Sequence, residues 1–97
     1  MIIRLRLYGV FRTAAGSEKI ELNITMDEPT VRDAISGIAT RSDLSQLKQL
    51  VFDGETPDPR PNALIMVSGR EISTLDGLDT KLKVNDELAL LPIAHGG

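Results

Sequence analysis

The sequence predicts an α+β domain: a mixed sheet of four to five strands, covered on one face by one main helix and a short second helix. Three observations carry this expectation. Two segments near the N-terminus alternate apolar and polar residues, a capped helical stripe follows them, and further strand-like runs close the chain. A hairpin, then a helix, then more strands is the order of a mixed sheet with helices packed on one side.

The elements follow in order. In MIIRLRLY, residues Ile3, Leu5 and Leu7 fall on one face and Ile2, Arg4, Arg6 and Tyr8 on the other, a half-buried strand. Residues 9–19 carry Gly9 and Gly16 and read as a broad hairpin connection. Ile20, Leu22 and Ile24 then alternate with Glu21, Asn23 and Thr25 as a second, antiparallel strand. The run DEPT opens a helix: Thr30 is a good N-cap, Pro29 precedes it and Asp33 places an acid in the first turn. Val31, Ala34, Ile35, Ile38 and Ala39 are spaced as one helical face, although Gly37 inside it costs roughly 1 kcal/mol against alanine. Leu44, Leu47, Leu50 and Val51 suggest a second, shorter helix ending near Gly54.

Three prolines between Pro57 and Pro61 forbid helix and central strand alike, so this stretch is loop. Ala63 to Val67 is a nearly continuous apolar run and predicts a strand buried on both faces. Ser68-Gly69 turns it, and Glu71 to Ser73 reads as a short edge strand. The turn-rich stretch after it offers Leu75, Leu78, Leu82 and Val84 to the core, and Asn85-Asp86 leads into a last strand from Glu87 to Leu91. The architecture with this order is the β-grasp, in which a central strand lies beside the first one. The domain is expected over residues 1–93, followed by a flexible Ala-His-Gly-Gly tail, 94–97.

Composition narrows the function classes. A chain of 97 residues makes one domain, and with three aromatic residues the interior must be filled by Ile, Leu and Val. The formal charge of -3 with scattered basic residues argues against a nucleic-acid partner. The N-terminus alternates and so does not read as a signal peptide. No apolar run approaches the ~18 residues of a membrane span. The absence of cysteine removes disulfides, thiolate metal sites and cysteine nucleophiles, and fits a reducing, cytoplasmic setting.

Internal chemistry is sparse. The lone histidine, His95, sits on the tail, a poor place to hold triad geometry, and one histidine without cysteines cannot begin a zinc site. No phosphate-cradling glycine motif is present, and no bound cofactor or metal is expected. The acid pairs Asp27-Glu28 and Asp86-Glu87 stand where caps and turns want acids. Tyr8 with Phe11 reads either as a binding patch or as packing under the 9–19 connection. Arg12 reads as a partner contact or, more simply, as a solvated loop charge.

The tail is the informative feature. Gly96-Gly97 would arise by chance in roughly one chain in two hundred. Without Cβ atoms, an extended diglycine can thread a channel that admits no side chain. The reactive group at its end is the Gly97 carboxylate. It is a poor electrophile until ATP converts it to an acyl-adenylate, which sulfur or an amine can attack. From Ile93 to Gly97 an extended chain reaches about 17 Å, enough to place the carboxylate inside a partner enzyme. In this reading His95 is gripped by the partner rather than acting as a base.

The segments LYGVFRTAAG, TVRDAISGI, ALIMVSGREIS and NDELALLPIAHGG together resemble the MoaD/ThiS-type ubiquitin-like sulfur carriers, most closely the small subunit of molybdopterin synthase. The resemblance covers nearly the whole chain. Ser68-Gly69 stands where the family usually has Asn-Gly, Leu91-Pro92 where a double proline is common, and the stretch from Ser42 to Asn62 is longer than in bacterial forms. The resemblance implies a carrier rather than a catalyst in its own right. Gly97, with Gly96 before it, would be adenylated by a ubiquitin-activating-like enzyme that uses ATP, then converted to a thiocarboxylate. The sulfur would pass to a molybdopterin precursor inside the large synthase subunit. Tyr8 and Leu91 match family positions on the apolar face that docks partners, and Pro92 and Ile93 lead into the threaded tail. Two alternatives share the activation chemistry: a modifier joined through Gly97 to lysines, and a carrier for thiamine or tRNA thiolation.

Overall fold

The first strand, β1 (Ile2–Leu7), alternates as its sequence dictates, with Ile3, Leu5 and Leu7 buried and Ile2 and Arg4 exposed. In this computed structural model, which describes residues 1–52 and 57–93, β1 pairs antiparallel with β2 (Lys19–Asn23), Ile3 opposite Leu22 and Leu5 opposite Ile20. The expected second strand is therefore in register.

The connection between them is not a loop. It holds a helix, α1 (Gly9–Ala15), that the reading of a broad hairpin missed. Phe11 anchors it in the core, with Ala14 and Ala15 packed beside it, a spacing of i, i+3, i+4. Gly16 closes it in the left-handed region at φ 76°, its N–H donating to the carbonyls of Arg12 and Thr13. Of the two readings of Phe11, burial wins.

Helix α2 (Val31–Thr40) begins where its cap predicts. The Thr30 hydroxyl accepts from the Asp33 N–H at 3.3 Å while the Asp33 carboxylate accepts from the Thr30 N–H at 2.8 Å. Val31, Ala34, Ile35 and Ile38 are buried. Gly37 has a packing reason: a Cβ there would stand 3.0 Å from Ile24 Cδ1. A 3₁₀ turn (Ser42–Leu44) leads into α3 (Ser45–Val51), which buries Leu44, Leu47 and Val51 but leaves Leu50 exposed. The helix ends at Val51; Gly54, the expected terminus, lies outside the described residues.

Strand β3 (Ala63–Val67) corrects another expectation. Ala63, Ile65 and Val67 are buried, but Leu64 is 39% exposed and Met66 only half-buried, so the run faces the core on one side alone. Ser68 and Gly69, both at positive φ, turn it into β4 (Arg70–Glu71); Ile72 and Ser73 belong to a following 3₁₀ turn rather than to the strand. Leu78 and Leu82 pin the next stretch to the core and Leu75 is half-buried, whereas Val84 is exposed. The last strand, β5 (Glu87–Pro92), runs parallel to β1 and antiparallel to β3.

The sheet order is β2-β1-β5-β3-β4, so the first and last strands meet at its centre. This is the expected β-grasp arrangement, with three α-helices among the described residues where two were expected. Ile3, Leu5, Leu7, Leu22, Ile65, Leu88 and Leu90 join the buried faces of the helices in one core. The opposite face of the sheet carries no helix among the described residues.

Candidate functional site

The strand period places alternate residues of β1, β5 and β3 on the open face of the sheet. With Leu5, Leu88, Leu90 and Ile65 committed to the core, Arg4, Arg6, Glu87, Ala89, Leu91, Leu64 and Met66 point the other way. Register brings them together: Leu64 lies opposite Leu91, Met66 opposite Ala89, and Arg6 beside Ala89. Tyr8 continues the outer row of β1. Its N–H donates to the Leu90 carbonyl at 3.3 Å, and its ring lies under the Arg6 guanidinium, 5.4 Å from centroid to Cζ. Arg6 is held there by Glu18 at 3.0 Å, with Glu87 at 4.0 Å. The hydrogen bonds that Arg6 donates to Glu18, reinforced by the Tyr8 phenol and the carboxylates nearby, raise its already high pKa, so it stays cationic.

The result is an apolar strip of Tyr8, Leu91, Leu64 and Met66 bordered by paired charges. Tyr8 and Leu91, identified from the sequence, share this face. Leu64 and Met66 were missed because a continuous apolar run reads as buried on both sides. Only the neighbours in the sheet distinguish the two cases.

The strip leads to the end of β5. Pro92 pairs with Ala63, and Ile93 stands just past the strand, 40% exposed. The Ile93 side chain lines a shallow surface groove with Leu64, Ile65 and Ile72. Two contacts hold this end of the strand. Gly9, at φ +54°, packs so closely that a Cβ on it would meet Pro92 Cγ at 3.0 Å. The Ile93 N–H donates to the Asn62 carbonyl at 3.0 Å. Asn62, itself buried, donates its side-chain amide to the Val51 carbonyl at the end of α3, 3.2 Å away. Neither Gly9 nor Asn62 carries a sequence signal for this role; a turn glycine and a loop asparagine look alike wherever they stand. Ala94, His95, Gly96 and Gly97 lie outside the described residues.

Among the described residues no three His, Cys, Asp or Glu side chains are grouped to hold a metal, and no helix is long and apolar enough to cross a membrane.

No protein-family model matches the chain. Small archaeal modifier protein 3 of Haloferax volcanii is 30% identical over 97 residues, all of both chains. A protein designated a sulfur carrier from Archaeoglobus fulgidus is 29% identical over 86 residues, 89% of this chain and 94% of the relative. Among solved structures, one from Pyrococcus furiosus designated molybdopterin converting factor, subunit 1, superposes with a TM-score of 0.71 at 26% identity, covering 97% of this chain and 99% of that one. The β-grasp sheet and full-length identity agree, and the chain belongs to the ubiquitin-like family of small archaeal modifier and sulfur carrier proteins.

Proposed function

We propose that the chain is a sulfur carrier whose Gly97 carboxylate is activated and thiolated by a partner enzyme, and that it serves as the small subunit of a molybdopterin synthase. The observation that carries this reading is the apolar strip of Tyr8, Leu64 and Leu91, which runs to the root of the tail at Pro92 and Ile93. A partner that covers the strip receives the chain end at its own active site. The likeness to molybdopterin converting factor subunit 1 supports the choice of pathway.

The chemistry needs three parties. A carboxylate oxygen of Gly97 attacks the α-phosphate of ATP on an adenylating enzyme, forming the acyl-adenylate and expelling pyrophosphate. Sulfide sulfur from a donor protein then displaces AMP and leaves a thiocarboxylate. The large synthase subunit would hold the molybdopterin precursor that accepts this sulfur. The chain contributes no cysteine, in keeping with sulfur carried on its carboxyl group. On this reading ATP belongs to the activating enzyme, the carrier works in the cytoplasm, and His95 is a contact for the partner.

A second reading, a protein modifier joined through Gly97 to lysines, is favoured by the full-length identity to small archaeal modifier protein 3. One experiment separates the two. The protein is incubated with its cognate activating enzyme, ATP and a sulfur donor, and its intact mass is taken. Exchange of one oxygen for sulfur supports the carrier; a diglycine remnant on lysines of other proteins supports the modifier. If neither forms, and a chain lacking Gly96 and Gly97 functions normally in the cell, carboxylate activation is wrong. A residue appended after Gly97 is expected to be as damaging as the deletion.

A further inference from the structure

We propose that Gly9 and Asn62 are positioning residues: together they clamp the end of β5 and fix the point and direction at which the tail leaves the domain. The inference rests on the carboxylate reading above and goes beyond it, because neither residue belongs to the docking strip or to the tail.

The two residues reach the same place from distant parts of the chain. Gly9 opens α1 in the left-handed region, φ +54°, directly after Tyr8 bonds to the Leu90 carbonyl. The turn this creates presses backbone against the Pro92 ring, at a distance where a Cβ would meet Pro92 Cγ at 3.0 Å. Such a contact is available only to glycine, for both its φ and its missing side chain. Asn62 works on the next residue. Its carbonyl receives the Ile93 N–H at 3.0 Å, while its N–H donates to the Pro59 carbonyl at 2.9 Å and its side-chain amide to the Val51 carbonyl at 3.2 Å. Asn62 thus ties α3 and the 57–62 turn to the backbone bond that Ile93 makes just past the end of the strand.

Pro92 is held by packing and Ile93 by hydrogen bonding, so both residues are fixed to the domain. Chain held before docking need not be ordered during it, and a reacting group delivered from a fixed root starts close to its productive geometry. A loose root would leave the docking strip intact and still misplace the carboxylate. The expected signature is a fall in kcat with KM little changed.

The test compares the full-length protein with Gly9→Ala, Asn62→Asp and Gly9→Ala/Pro92→Ala. The Asn62→Asp change keeps the shape of the side chain but removes its donor. Rates of ATP-pyrophosphate exchange with the activating enzyme are measured well below each melting temperature, and hydrogen exchange is followed at the Ile93 amide. We expect kcat to fall about tenfold or more in Gly9→Ala and Asn62→Asp at nearly constant KM, since ångström-scale misplacement is that costly. Faster exchange of the Ile93 amide should accompany it in Asn62→Asp, and removal of the Pro92 ring should recover part of the loss in the double variant. A merely structural role would lower the melting temperature and leave kcat alone, which overturns the clamp. So does wild-type kcat in a variant whose Ile93 amide exchanges faster. If the parent protein supports no exchange at all, the carboxylate reading itself fails, and the clamp with it.

Discussion

Leu64 is the residue at which the open face is most simply tested. It is 39% exposed, paired with Leu91, and outside the core. Leu64→Glu is expected to leave the melting temperature nearly unchanged while raising KM for the activating enzyme about thirtyfold, as loss of an interface anchor of ~2 kcal/mol would. Titration of the protein with the enzyme, beside a thermal melt, checks both halves. Charges elsewhere on the surface have a different signature. Asp43 and Asp58 are held below the ordinary carboxylate value of 3.8 by hydrogen bonds from Arg41 and Arg60, and Glu71 below 4.5 by those from Ser73. Each folded-state pKa lies below its unfolded one, so the stability these groups add is present above 4.5 and 3.8 and is lost as pH falls through the lower folded values. Asp43 is exposed and Asp58 and Glu71 are half-buried, so solvent screens all three and the loss is small. Urea midpoints should be level from neutrality down to the ordinary carboxylate range and then decline, and strong salt should flatten the decline.

The elements show where local sequence is sufficient. The box joining Thr30 and Asp33 starts α2 as read, and Thr30→Ala should cost about 1 kcal/mol, seen as a lower urea midpoint at unchanged slope. The cap was legible because both partners lie within four residues, and local chemistry decides the matter. Helix α1 was legible in principle, from Phe11, Ala14 and Ala15 at helical spacing before Gly16, but six residues between two glycines look equally like a turn. The core site that takes Phe11 is built by other parts of the chain. Strand β3 was legible as a strand and not as to its faces, because five apolar residues in a row carry no period. Val84 and Leu50 fail for a related reason: apolar character permits burial without requiring it.

At the scale of the molecule the decisive contact is between its two ends. Arg4 of β1 lies beside Glu87 of β5 in a parallel pair, so the centre of the sheet closes almost the whole chain. Leu90, fully buried on β5, belongs to the core beside Leu5 and Leu7 of β1 and Ile65 of β3. Leu90→Ala should therefore cost about 2–5 kcal/mol, measured by urea denaturation, and should loosen the strand that carries the tail. Because this pairing is so distant in sequence, it forms only after a large loop-entropy cost, which places folding on the slow side for a domain this small. The sequence by itself determined what short-range chemistry can specify: the strand and helix periods, the Thr30 cap, the absence of cysteine, and the Gly96-Gly97 pair on which the proposed carboxylate chemistry rests. Only the tertiary structure decided which side of β3 stays open, that Phe11 is core, and that Gly9 and Asn62 meet at Pro92 and Ile93. The physical reason is range. Those outcomes depend on residues up to some eighty positions apart brought side by side by strand pairing, and no window of sequence contains both partners.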